Sequence, residues 1–341
     1  MSKPRTNNFA VEVLKRPEER HIVVRGKLSV VISAYNEENK IEACLKSADF
    51  ADEIIFVDNS STDKTEEIAG KYTKNIYKQK NDPACIDLQK NFGFSKATGD
   101  WILSLDADEE ISKELADEIT KVLNNLQSSE EPRATSHEPR ASYNGYSIPR
   151  KNYIFGKWIE HSGWYPDYQL RLFRKGKGKY INKHVHEDLG VDGETANLKN
   201  HIIHHNYDTI TDFINKTINI YGVNEAEEKL RKGYSFSYFD VIRFPLGEFL
   251  SRFFARKGYK DGFHGLVLAL LMAFYHLIVF AFIWEKRGFK EYEGKEFLDD
   301  TEKEFERAGK EIFFWISKEK MEAIKNPLKK NLYKISRKIR F

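Results

Sequence analysis

The 341-residue sequence predicts an α/β fold: a mostly parallel sheet flanked by helices, extended on the carboxyl side by a helical region. Three observations carry that expectation. Short β-branched runs recur, each run ends in a polar or acidic loop, and a helical pattern follows each loop. With 40% hydrophobic residues, the chain can bury a sizeable core.

Residues 28–32, LSVVI, read as the first buried strand, closed by the polar turn SAYNEEN, with a helix over 37–47. Residues 53–57 form the second strand. Its loop, DNSSTDKT, offers Ser, Thr and Asp to cap a helix over 65–72, and Asp63 reads as a cap. The third strand, WILSL at 101–105, runs directly into DADEE, with a helix over 113–126. Three such units build a parallel sheet covered on both faces, and ligands of these sheets bind outside the carboxyl ends of the strands. The loops at 35–38, 58–63 and 106–110 would meet there. Residues 127–142 hold two prolines and no apolar periodicity, which reads as a mobile surface loop. From 145 to about 206 the chain is rich in aromatics, His and Arg, with strand-like pieces YSIPR and QLRLF. This completes an expected catalytic domain over 27–210, after an extension at 1–26. A helix is expected over 211–232, opening a helical, membrane-associated region over 211–341.

The net charge of +3 gives no general case for nucleic-acid binding. Cys44 and Cys85 are too few for a disulfide framework and lack zinc-site spacing. The first twenty residues have no apolar stretch after their basic residues, so no secretory signal is expected and the cytoplasmic side is. Residues 265–284, GLVLALLMAFYHLIVFAFIW, have only His276 as an ionisable interruption and are long enough to span a bilayer. Basic residues flank both ends: Arg252, Arg256, Lys257 and Lys260 before, Lys286, Arg287 and Lys290 after. They define no orientation, which leaves an in-plane helix or re-entrant hairpin, a single span, or a buried core helix. The last segment, NPLKKNLYKISRKIRF, carries six basic residues and no acid. Leu328, Leu332, Ile335 and Ile339 share one helical face, which suits an anionic membrane surface, with a solvated tail as the alternative.

Asp106 and Asp108, one residue apart at a strand end, can point into one site, and Mg²⁺ or Mn²⁺ prefers such carboxylate oxygens. An Asp-x-Asp alone is weak evidence. Its place after WILSL, beside two other acidic strand ends, favours a functional reading. LSVVISAYNEE, EIIFVDNSSTDKTEEIA and KNFGFSKATGDWILSLDADEEIS resemble glycosyltransferase family 2, whose catalytic domain has the GT-A fold. GWYPDYQLRLFRKGKGKYINKHVHEDL is similar, more weakly, to its lipopolysaccharide-core β-glucosyltransferase branch.

That resemblance implies that Ala34, Tyr35 and Glu37 line the nucleotide pocket and that Asp58 contacts base or ribose, with an Asx turn or a helix cap as its structural alternative. It implies donor contacts for Lys90 and Asn91. Asp108 becomes the principal metal ligand and Asp106 touches ribose or metal-bound water. Asp167, in YPDYQLRLF, resembles the acceptor-side base, although the commoner Glu-Asp pair is missing. Glu187 is the rival base, and His186 would approach metal or diphosphate. Arg171 and Arg174 would offset diphosphate charge or form internal salt bridges. Trp158, Trp164, Tyr165 and Tyr168 would floor the acceptor site or pack the core. The HIIHHN cluster, with His201, His204 and His205, has spacing that permits a second metal site on a helix.

The expected reaction is inverting transfer of a hexose, glucose from UDP-glucose, to a membrane-associated glycolipid such as lipopolysaccharide inner core. The enzyme would work peripherally at the cytoplasmic face of the cell membrane. Transfer to polyprenyl phosphate or a lipid-linked oligosaccharide is the second reading. A membrane-docked nucleotide-sugar-binding protein is the non-enzymatic one.

Overall fold

Strands and helices alternate along the first half of the chain in the computed structural model, which describes residues 26–82, 86–125, 143–181 and 189–338. The opening units are β1 (Leu28–Ala34), α1 (Ile41–Ser47), β2 (Glu53–Asp58), α2 (Thr65–Ala69) and β3 (Ile76–Lys78). There follow α3 (Ile86–Lys96), β4 (Trp101–Asp106), β5 (Glu109–Ile111) and α4 (Lys113–Asn125). The second half of the sheet adds β6 (Gly145–Ile154), β7 (Lys157–Trp158), β8 (Asp167–Arg174), β9 (Gly178–Lys179), β10 (Gly190–Val191), β11 (Thr195–Asn197) and β12 (Ile202–Tyr207).

Among the described residues, the main sheet runs in the order β3-β2-β1-β4-β8-β6-β12-β5. The first four strands of that order are parallel, as expected. Beyond β4 the sheet is mixed: β8 runs antiparallel to both β4 and β6, and β5 antiparallel to β12. Alternation along each strand covers both faces. Leu28, Val30 and Ile32 join one buried cluster with α1 and α4, while Val31, Ile55, Val57 and Ile102 join another against α3.

Helix α3 did not figure among the expected elements, because polar residues and a glycine interrupt the apolar side that carries Phe94. Lys90 and Asn91 point inward, and Gly93 lets the helix approach the sheet: a Cβ there would sit 2.5 Å from Val31 Cγ1. Residues 211–232 are helical, as α5 (Ile210–Lys216), a π turn and α6 (Gly222–Arg231). A capping box of Thr209 and Asp212 starts α5. The HIIHHN segment is strand, not helix, so His204 and His205 face opposite ways.

Four helices follow: α7 (Asp240–Leu250), α8 (Phe263–Lys286), α9 (Phe297–Ala323) and α10 (Pro327–Lys338). Helix α8 packs on α6 and α7, and its first half seals a cluster with Ile154, Ile159, Tyr207 and Phe213 of the sheet side. It is unbroken, so no re-entrant bend forms within 265–284. Among the described residues it is the one helix long and apolar enough to cross a membrane, and a third of its most apolar window is buried. Leu270 and Leu277 remain exposed on it.

Candidate active site

Register brings the expected loops together. Ala34 lies opposite Asp58 and Ser33 opposite Asp106, so the ends of β1, β2 and β4 share one rim. The first two loops are laced to each other. Asn36 N–H donates to Ser61 Oγ, Thr62 N–H to Asn36 Oδ1, Glu37 N–H to Thr65 Oγ1, and Glu38 N–H to Asp63 Oδ2. Asn36 and Ser60 sit at positive φ to make these turns. Asp58 is 1% exposed and its Oδ1 accepts from Ser61 N–H, three residues on, one residue further than an Asx turn. Asp63 accepts from Thr65 N–H, closing the turn ahead of α2. Tyr35 stays open to solvent beside them.

An alternating ladder of charge runs along the rim. Lys90 Nζ lies 2.6 Å from Asp106 Oδ1, and Arg171 Nη2 lies 2.5 Å from Asp106 Oδ2. Arg171 also reaches Glu109 Oε1 at 2.8 Å; Arg150 Nη1 meets the same oxygen at 3.3 Å. Arg150 Nη2 then pairs with Asp167 Oδ2 at 2.6 Å. Glu109 is wholly buried, and its other oxygen accepts the Asp106 N–H. Burial alone would push the Asp106 carboxyl up, but Arg171 and Lys90 hold it well below the ordinary carboxylate range. The same contest at Asp167 ends with Arg150, Gln169 and Asn152 holding it below its ordinary value. Arg171 therefore makes the internal salt bridges anticipated for it. Arg174 does not join the site: it pairs in register with Trp101, at the opposite end of β4, and lies over that indole ring at 4.8 Å.

Asp108 lies beyond this ladder. His205 N–H donates to its carbonyl, pinning it to β12, and His204 Nε2 stands 3.6 Å from its Oδ2. The Asn152 amide fixes the imidazole: its Nδ2 donates to Trp164 O and Asp167 Oδ2, so its Oδ1 accepts from His204 Nδ1–H at 2.7 Å. Nε2 is thereby turned toward Asp108. Such an outward-facing, back-bonded His is how proteins orient metal ligands. Burial first, and then the Asp108 charge, push Glu37 up to about 7, against Lys40 and Lys216. A divalent cation held by one or two protein groups and by substrate phosphates fits that donor set. Asp106, expected to share the metal, has both oxygens engaged by Lys90 and Arg171.

Other expected residues fall elsewhere. The Asn91 side chain clasps the Tyr180 main chain, donating to its carbonyl and accepting from its N–H. Glu187 and His186 lie outside the described residues, as does Cys85. Cys44 is buried and its thiol donates to Asp106 O. His205 pairs with Glu110 and His201 with the Tyr165 hydroxyl. Among the described residues no three His, Cys, Asp or Glu side chains gather in a group that could hold a metal ion, either in the histidine run or at Asp106 and Asp108. Trp164 packs in the cluster with Leu268, whereas Tyr168 is exposed on the rim side of β8. Sequence reading missed Glu109, Arg150 and Asn152, and met His204 only as part of a histidine run, because isolated polar residues in β5, β6 and β12 acquire partners only across the sheet.

Residues 29–186 match the profile described as Glycosyl transferase family 2. The uncharacterized glycosyltransferase RT0209 of Rickettsia typhi is 30% identical over 261 residues, covering 73% of this chain and 83% of its own. The chain belongs to glycosyltransferase family 2. Its sheet is accordingly the GT-A sheet, and its chemistry is glycosyl transfer. The lipopolysaccharide core biosynthesis glycosyltransferase LpsC of Rhizobium meliloti is 26% identical over 270 residues, covering 77% of this chain and 94% of its own. Staphylococcus aureus TarS 1–349, solved with UDP, aligns at 16% identity and a TM-score of 0.38 over 78% of this chain and 93% of that one.

Proposed function

We propose that this family 2 enzyme transfers a hexose with inversion from a nucleotide sugar, glucose from UDP-glucose, to a membrane-associated glycolipid such as lipopolysaccharide inner core. Catalysis belongs to residues 27–210 and membrane attachment, at the cytoplasmic face, to 211–341. The observation that supports the reading is the ladder itself, which links Asp106 at the end of β4 to Asp167 at the start of β8 through Arg171, Glu109 and Arg150. The donor sugar follows the resemblance of the sequence motifs, and the acceptor class is supported by kinship with LpsC.

The loops carrying Ala34, Tyr35, Glu37 and Asp58 hold the nucleoside. Lys90 and Arg171 bring positive charge to the edge where the diphosphate departs, although they share Asp106 and each has a second acid, Asp87 for Lys90 and Glu109 for Arg171. Mg²⁺ or Mn²⁺ held by Asp108, with His204 alongside, would neutralise the leaving diphosphate. On the other side, Asp167 accepts the proton from the acceptor hydroxyl as that oxygen bonds to the anomeric carbon and the bond to the diphosphate breaks. Arg150 holds Asp167 below its ordinary carboxylate value, so Asp167 is ionised at neutral pH. Glu187 is the rival for that role.

Metal-dependent turnover of a panel of UDP-, GDP- and dTDP-sugars tests this, with lipid extracts analysed by mass after reaction. UDP-glucose is expected to turn over, with a loss of about 10²- to 10³-fold in Asp108→Ala and in Asp167→Asn. Retained activity in Asp167→Asn, with loss in Glu187→Gln, would move the base to Glu187. Donor binding without turnover in the wild type would favour the non-enzymatic reading.

A further inference from the structure

The turn joining α7 to α8 grips the segment that leads into Asp167. Asp261, 5% exposed at the end of a 3₁₀ turn, accepts from His161 N–H at 2.9 Å and from Glu160 N–H at 3.3 Å, and its Oδ1 lies 3.1 Å from His161 Nδ1. Its carbonyl accepts from Lys157 Nζ at 2.8 Å. Alongside, Arg252 Nη1 donates to Ser162 O, Ser162 N–H donates to Arg256 O, and the Arg252 guanidinium covers the Trp164 ring.

The gripped segment is not at rest in its local preferences. Ser162 holds φ 59°, and Lys257, facing it from the turn, holds φ 57°. Ser162 Oγ and the indole nitrogens of Trp158 and Trp164 are buried and find no hydrogen-bond partner among the described residues. Strained dihedrals and orphan polar atoms persist only where surrounding contacts over-determine them. From the segment the linkage continues inward: Trp164 O accepts from Asn152 Nδ2, and the same amide donates to Asp167 and accepts from His204.

We propose that Asp261 is a positioning residue for the acceptor-side carboxylate: by fixing residues 160–164 it sets, through Asn152, the orientation of Asp167. The helical region is thereby a working part of the catalytic rim, and movement of α7 and α8 is transmitted to the base. This rests on the reading of Asp167 as base.

A double-mutant cycle on the full-length enzyme separates the two. Donor turnover and donor affinity are measured for wild type, Asp261→Asn, Asp167→Asn and the double variant. Asp261→Asn retains the volume but loses one of two acceptor oxygens, and should lower kcat about 10- to 100-fold with donor affinity unchanged. That loss should vanish in the Asp167→Asn background, because a residue acting through Asp167 has nothing left to position. An equal loss in both backgrounds, or no loss, overturns the proposal. Intact turnover in Asp167→Asn alone overturns the reading of the base instead. If Asp261→Asn does not fold, Arg252→Gln loosens the same segment from its other side and enters the same cycle.

Discussion

Asp106 and Asp167 are ends of one electrostatic unit, and the residues between them are as informative as the ends. Glu109 sits with no exposure between two guanidinium groups. Breaking such a buried pair leaves an uncompensated charge, which typically costs about 3–5 kcal/mol. Arg150 has the most specific consequence. It is the leading cause that holds the Asp167 carboxyl below its ordinary value against desolvation. Removing it raises that pKa, so a base that must be ionised is protonated over a wider acid range. In Arg150→Gln the acid limb of the kcat/KM profile should therefore move to higher pH; a limb that stays in place would dissociate Arg150 from the base. Neither Glu109 nor Arg150 stood out in the sequence, since one acid in DADEE and one Arg in YSIPR look like ordinary strand-end and surface charges.

At the scale of elements, α3 shows why periodicity was insufficient. A helix normally announces itself by an apolar stripe, but this one interrupts Leu88 and Phe94 with a salt-bridging Lys90, a main-chain clasp at Asn91 and a bare Gly93. Gly93→Ala would bring a Cβ within 2.5 Å of Val31 Cγ1 and 3.0 Å of Val57 Cγ2. The helix must then back away, at about 1–3 kcal/mol by the usual cost of overpacking. Urea denaturation should register that loss, and turnover should fall with it because Lys90 moves from Asp106. An unchanged midpoint would mean that α3 is not pressed against the sheet. Strands β1, β2 and β4, by contrast, were legible to within two residues, because β-branched runs ending in turn residues have few alternative structures, whereas the three-residue strands β3 and β5 were not expected.

The whole molecule presents two surfaces, a charged rim and a helical side with exposed apolar residues. Phe297, Leu298, Phe305 and Phe314 of α9 and Leu328, Leu332 and Ile335 of α10 are exposed, and Lys329, Lys330 and Lys334 share the last helix. At low salt the full-length protein should sediment with anionic phosphatidylglycerol vesicles. Replacing the three lysines by Gln should weaken this by about 1 kcal/mol per residue, and added salt should weaken it as well. Equal binding to neutral phosphatidylcholine vesicles would assign attachment to the apolar surfaces of α8 and α9 alone.

The sequence by itself determined the family, the α/β class and the three strand ends that meet at the rim, because those features depend on local runs and on motifs contiguous in the chain. It also located the apolar stretch of α8. Only the tertiary structure decided which charges pair, since Lys90, Asp106, Glu109, Arg150, Asp167 and Arg171 are joined by the strand order β4-β8-β6 and by α3, not by sequence spacing. It likewise drew His204 out of a run of histidines toward Asp108, and tied Asp261, some hundred residues away, to the approach to Asp167. Electrostatic partners are chosen by distance in space, and no local pattern encodes that distance.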